Sequence, residues 1–155
     1  MASGRCLGMS CGGAWLNLAL VEVDRVLDEE PLRLPLPNVE GDWSALRGFM
    51  SSVRTAVGDL RPSHIAFLLP EMTYKNNYAF FDDRVGAEVL VRVAAAEESV
   101  TFVRVKRPTV RSTLGLVKKG ALSDAGATLD RKVGKYWAEG RDLAALAAFT
   151  LLKGR

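Results

Sequence analysis

The sequence predicts a mixed α/β domain. Three observations carry this: short apolar stretches with a period of two near the N-terminus, a near-continuous apolar run at 64–69, and long segments of helical spacing that alternate with strands from residue 43 onward. At 155 residues the chain has the length of one domain, so residues 1–155 are read as a single unit.

The elements follow in order. Arg5 to Ser10 reads as a strand that ends in a turn at Gly12-Gly13. Residues 14–24 place Leu16, Leu18 and Leu20 on one face with period two, a second strand with a helix as the alternative. Leu32, Leu34 and Leu36 alternate with Arg33 and two prolines, as in a short edge strand. Asp42 is placed to cap a helix over 43–58, with Leu46, Phe49, Met50, Val53 and Val57 on its apolar face. His64 to Leu69 is a central strand covered on both sides. A long helix over 77–98 carries Phe81, Val85, Val89 and Val93 at intervals of four, and Val100 to Val105 alternates as a fifth strand. Pro108 opens a basic loop or short helix, and 129–152 is an Ala/Leu-rich helix that Gly140 is placed to interrupt. The first three strands are expected to be antiparallel, and the later ones to be joined by crossovers.

Composition excludes several classes. Hydrophobic residues make up 48% and charged residues 25%, which suits a soluble chain with a core and argues against disorder. No apolar stretch approaches the roughly 20 residues of a membrane span. The N-terminal stretch, broken by Gly12, Gly13 and Asn17, makes a poor signal peptide. Cys6 and Cys11 are too close in sequence for a disulfide framework and read as small buried hydrophobes, so a cytoplasmic location is expected.

The net charge of +3 conceals an asymmetry. Residues 104–135 carry nine Lys/Arg against two acids, a net +7, while residues 1–103 stand at −5. A basic block of this density fits a polyphosphate partner, and Ser112, Thr113 and Gly115 lie among the cations. Tyr74, beside Lys75, Asn76 and Asn77 in a polar segment, is the aromatic residue expected to face a nucleic acid. Trp15, Trp43, Trp137 and Phe81 read as core.

Among the acids, Glu71 stands at the carboxyl end of the predicted central strand, where open α/β sheets place their sites. Glu139 and Asp142, three apart, share one helix face. Carboxylates that converge at such ends are how proteins hold Mg²⁺ for phosphodiester hydrolysis. Taken one by one, each of these acids is better read as a turn or helix-terminus residue.

The order of elements is that of the ribonuclease H-like fold, a mixed five-stranded sheet flanked by helices. Within it the chain resembles the RuvC family of Holliday-junction resolvases over about 135 residues. Gly8-Met9-Ser10-Cys11-Gly12 is similar to that family's first motif, Gly-x-Asp-x-Gly. Glu71 with Lys75-Asn76-Asn77 and the following helix resembles its acid and Lys-Asn segment, Val110 to Gly115 its basic DNA-covering segment, and Glu139 to Asp142 its closing acid-x-x-Asp. The resemblance implies branched DNA as partner, a homodimer, and Mg²⁺ or Mn²⁺ held by Glu71, Glu139 and Asp142 for cleavage. It implies backbone contacts from Arg104, Lys106, Arg107, Arg111, Thr113, Lys118 and Lys119, with Tyr74, Lys75 and Asn76 beside them. The first-motif aspartate is Ser10 here, and a neutral hydroxyl binds a dication far more weakly than a carboxylate. Architecture and DNA binding are therefore implied more firmly than cleavage. The alternative is a catalytically inactive RuvC-like or actin-like interaction module. A lower alternative is a serine hydrolase that uses Ser10 in a Gly-x-Ser-x-Gly elbow with His64 as base.

Overall fold

The computed structural model describes residues 4–38, 40–71, 78–123 and 133–154. Two hairpins open the chain. β1 (Arg5–Gly12) and β2 (Trp15–Glu22) pair antiparallel from Arg5↔Glu22 to Gly12↔Trp15, and Gly13, at φ 56°, supplies the left-handed turn residue between them. β2 then turns at Val23-Asp24 into β3 (Arg25–Leu27). This short sixth strand is absent from the sequence reading, because an exposed valine at φ 60° is not a turn residue that sequence signals. β4 (Arg33–Pro35) pairs with the other half of the same β2 edge.

β5 (His64–Leu68) and β6 (Thr101–Val105) add in parallel beyond β1, giving the order β3-β2-β1-β5-β6, with β4 beside β2. The sheet is mixed, antiparallel at one edge and parallel at the other, as expected. The crossovers are α1 (Trp43–Leu60) and α2 (Tyr78–Glu97), both on one face. Asp42 caps α1 by accepting from the Ser44 N–H at 3.1 Å. The opposite face carries α3 (Arg107–Leu114) and α4 (Arg141–Lys153), the latter preceded by a single 3₁₀ turn over Trp137–Glu139.

Strand alternation sorts the core between these layers. Leu7, Met9, Leu16, Leu18, Ile65 and Phe67 point to α1 and α2, while Cys6, Ala19, Val21, Ala66 and Leu68 point to α4. Helix α4 brings Ala144, Ala145, Ala147 and Ala148 to the sheet, and their small side chains let its backbone come very near β1. A Cβ on Gly8 would run into the Ala144 carbonyl oxygen and stand 2.6 Å from its carbon. Glycine at this position is therefore dictated by the approach of α4.

Two expectations about packing are corrected. The α2 stripe at Val85, Val89 and Val93 is exposed (53%, 48% and 41%), and the buried face is Arg84, Ala87, Glu88, Val91, Ala94 and Ala95. Steps of four residues mark a face but not which face, and here the alanines allow closer packing on the sheet than valines would. Trp43 is 82% exposed at the start of α1, not in the core. Trp137 is buried, as read.

The split edge of β2 needs one further device. Leu18 lies between the residues paired to β4 and those paired to β3. Its N–H donates to Leu32 O, and its carbonyl accepts from Arg141 Nε at 2.8 Å. Arg141 is fully buried, and its Nη1 also donates to the carbonyls of Val133 and Lys135, tying the segment before the 3₁₀ turn to the sheet. Burial lowers its pKa, with the charges of Asp28 and Glu30 acting in the opposite direction.

Candidate nucleic-acid interface

Ser10 sits near the end of β1 on the α4 face, 1% exposed. Its Oγ donates to the Gly140 carbonyl at 2.7 Å. Asn17, opposite Ser10 in the β1–β2 register, is also buried, and its Nδ2 donates to Ser10 O (3.4 Å) and Glu139 O (3.3 Å). A Cβ on Gly140, itself at φ 127°, would collide with that amide nitrogen. Serine, asparagine and glycine thus close the space between the sheet and the start of α4 with backbone hydrogen bonds.

The acids are occupied elsewhere. Glu139 is exposed, and its Oε2 stands 3.5 Å from Arg33 Nη1. Arg33 is held between two rings, its guanidinium carbon 3.7 Å from the Trp15 centroid and 3.6 Å from that of Tyr136. Asp142 is buried, its Oδ1 accepts from the Leu143 N–H at 2.8 Å, and burial pushes its carboxyl above the ordinary aspartate range. Glu71 is exposed three residues past the end of β5, where the last strand residue facing α4 is the buried Leu68. Among the described residues, no three His, Cys, Asp or Glu come together as a group able to hold a metal ion. The expected convergence of Glu71, Glu139 and Asp142 is therefore not found. The donor set does not fit Mg²⁺ or Mn²⁺: a hydroxyl committed to a carbonyl, one carboxylate paired with a guanidinium, and one turned onto its own helix.

The same geometry removes the hydrolase reading. His64 lies at the start of β5, paired with Cys6, and its Nδ1 contacts Ser63 Oγ at 2.9 Å. Ser10 stands four residues further along β1, and a strand, not a helix, follows its motif. The cysteines face opposite sides of the sheet, and burial pushes the Cys11 thiol up to about 12, so they form no metal or redox pair.

The basic block behaves differently. A cleft of about 1140 Å³ opens at the carboxyl ends of β5 and β6, between α2, α3 and the segment 116–122. It gathers Arg104, Lys106, Arg107, Arg111 and Lys118 with Glu71 around a floor that includes Phe67 and Leu69. Arg107 Nε donates to Leu69 O at 3.2 Å, and Arg111 donates to the carbonyls of Val117 and Gly120, both at 2.6 Å. Burial lowers the Arg107 pKa, with the Glu71 charge acting against that. Arg104 Nε lies 3.0 Å from Glu88 Oε1. Thr113 and Lys119 do not line the cleft, although Lys119 is exposed beside it. Tyr74, Lys75 and Asn76 lie outside the described residues, as do Arg131 and Lys132 of the basic block.

Sequence reasoning missed Arg84, Asn17, Arg33 and Arg141. Arg84 lines the cleft and donates through Nη2 to Gly13 O at 3.2 Å, linking α2 to the β1–β2 turn. A usable signal existed for two of them: Arg84 and Glu88 are four apart on one helix, and Asn17 is polar within an apolar strand, opposite Ser10.

No protein-family model matches the sequence, and no curated protein matches it. Solved structures do. The chain is similar to Thermus thermophilus RuvC, with a TM-score of 0.71 and 19% identity over 97% of this chain and 96% of that one. It is similar to T. thermophilus RuvC in complex with a Holliday junction substrate, with a TM-score of 0.69, 18% identity and the same coverage. The yeast mitochondrial Holliday junction resolvase Ydc2 matches with a TM-score of 0.56 and 12% identity, over 98% of this chain and 78% of that one. At these identities the likeness establishes the fold, the ribonuclease H-like sheet and helices of the RuvC structures. No helix among the described residues is long and apolar enough to cross a membrane.

Proposed function

We propose that this chain recognises branched DNA, and that recognition, not metal-dependent cleavage, is what its architecture retains. The observation that carries the first half is the cationic cleft at the carboxyl end of the parallel strands, in a fold shared with a RuvC solved on a Holliday junction. The second half rests on Ser10, whose hydroxyl is engaged by Gly140, and on the dispersed acids. An intracellular location accords with a DNA partner.

The test is binding of a labelled four-way junction over a salt series, with cleavage read in the same samples in Mn²⁺. Lys106 and Lys118 are exposed on the cleft, so Lys106→Ala with Lys118→Ala removes charge without disturbing the core. The double variant should bind more weakly and lower the salt slope by about two, near 0.9 per lost phosphate contact. Unchanged affinity and slope would remove the cleft from the DNA interface, and no salt-sensitive binding by the parent would leave only a protein-interaction module. A metal-dependent cut by the parent chain would refute the non-cleaving half.

The exposed face of α2 supports a homodimer, the state the resemblance implies. Val89 and Val93 are large apolar residues on the outside of a helix that already covers the core with its other face. Val89→Asp should convert a dimer to a monomer in sedimentation, and a parent chain that is monomeric at micromolar concentration would exclude this surface.

A further inference from the structure

We infer that the cleft is a subsite for one unpaired nucleotide of the bound DNA, a refinement that rests on the branched-DNA reading. A volume of about 1140 Å³ lies just above the roughly 300–1,000 Å³ of sites that take a small molecule, so it has room for an extruded nucleotide but not for a duplex. The lining is apolar where a base would lie, with half-buried Leu69 and Phe81 over the fully buried Phe67. Aromatic and aliphatic surface of this kind suits the flat face of any base.

The cations of the lining would take the nucleotide's phosphate. Arg84, Arg107 and Arg111 are each tied to a backbone carbonyl, those of Gly13, Leu69, and Val117 with Gly120. Their charges are thus held in place before a ligand arrives, which lowers the ordering cost of binding. A surface that only tracked a duplex backbone would need no apolar recess behind them. The carboxylate of Glu88, mostly buried in the lining beside Arg104, is unsuited to a phosphate but offers an acceptor to the exocyclic amino group of adenine or cytosine. A base on the apolar residues beside Glu88 and a phosphate on the tethered arginines use both signs of charge.

The experiment compares three four-way junctions: fully paired, with two unpaired adenine nucleotides at the branch, and with those two nucleotides made abasic. Affinities are read by fluorescence anisotropy at one salt concentration for the parent, for Phe81→Ala and for Ser112→Trp. Ser112 is exposed on α3 and lines the cleft, so the tryptophan fills the recess without entering the core. The expected result is a preference of about tenfold for the junction with unpaired adenines, as expected for one stacked base. That preference should vanish with the abasic junction and with either variant. Equal binding of paired and unpaired junctions overturns the subsite and leaves junction recognition intact. A preference that survives removal of the bases, or that survives Ser112→Trp, overturns base occupancy and leaves a backbone-only cleft. Failure to bind any junction overturns the branched-DNA reading itself, and the subsite with it.

Discussion

Replacing Ser10 by aspartate would put a carboxylate where a hydroxyl now donates to Gly140 O at 2.7 Å. The carbonyl itself would keep a partner, since Ala144 N donates to it at 3.1 Å, so the cost falls on the new charge. Position 10 is 1% exposed, and the amide of Asn17 is committed to Ser10 O and Glu139 O. Burying a carboxylate without a cation raises its pKa by up to about 3–5 units. A rise of about three units, at 1.36 kcal/mol each, costs ~4 kcal/mol near neutral pH. For a chain of this size that lowers Tm by about 8–16 °C. The sign follows from a folded-state pKa above the unfolded value of about 3.9: the penalty is absent below that value, grows as pH rises, and is complete above the folded pKa. Thermal melts should therefore show the variant near the parent at about pH 4 and well below it at about pH 8, with no specific recovery in Mn²⁺. Equal stability at the higher pH would refute the reasoning. So would rescue of the variant by Mn²⁺ beyond any shift in the parent, because carboxylates would then surround position 10 after all.

Three further outcomes follow from the packing. Gly8→Ala must displace α4 from β1, and overpacking of this kind costs about 1–3 kcal/mol or more, visible as a lower urea midpoint; a neutral substitution would mean that α4 does not lie against Gly8. Arg141→Leu strips donors from the carbonyls of Leu18, Val133 and Lys135 at a cost of about 1–3 kcal/mol for each acceptor left dry, and an unchanged midpoint would contradict the strap. Burial raises the Asp142 carboxyl above its ordinary 3.8, so its effect on stability is absent below that value and becomes destabilising as pH rises through the folded pKa; Asp142→Asn should remove this part of the pH dependence, and identical pH profiles would show the carboxyl to be solvated.

How far the sequence reveals this molecule depends on the range of the interactions involved. The period-two runs of β1 and β2 and the apolar run of β5 are local patterns, and each is found where its pattern places it. Asp42 caps α1 through a residue two positions away, so it too is legible. The face of α2 is not local: valines at every fourth residue look like a core stripe until α1 and the sheet select the alanines instead. β3 depends on Val23 accepting a left-handed conformation, which no sequence preference favours. The site follows the same division. The basic block is visible as composition, but the tethering of Arg107 by Leu69 O, 38 residues away, is not. Ser10 draws attention through its motif, yet what it does is decided 130 residues later by Gly140.

That long-range contact bears on how recognition and cleavage relate in this chain. Strand alternation sends Ser10 to the α4 face, where Gly140, Asn17 and the backbone of Glu139 meet it. It sends Phe67 to the opposite face, toward α2, whose Arg84 and Glu88 line the cleft together with Arg104. The cleft also takes Arg107, Arg111 and Ser112 from α3, which shares the α4 face. It therefore reaches both sides of the sheet at the ends of β5 and β6, while the Ser10 region lies on the α4 side alone. The hydroxyl at position 10 donates to the Gly140 carbonyl at the start of α4, a bond that involves no cation of the cleft. On the branched-DNA reading proposed above, Ser10 offers no carboxylate to a dication and lines no part of the cationic cleft, so binding and cutting would be separable by substitution at this position.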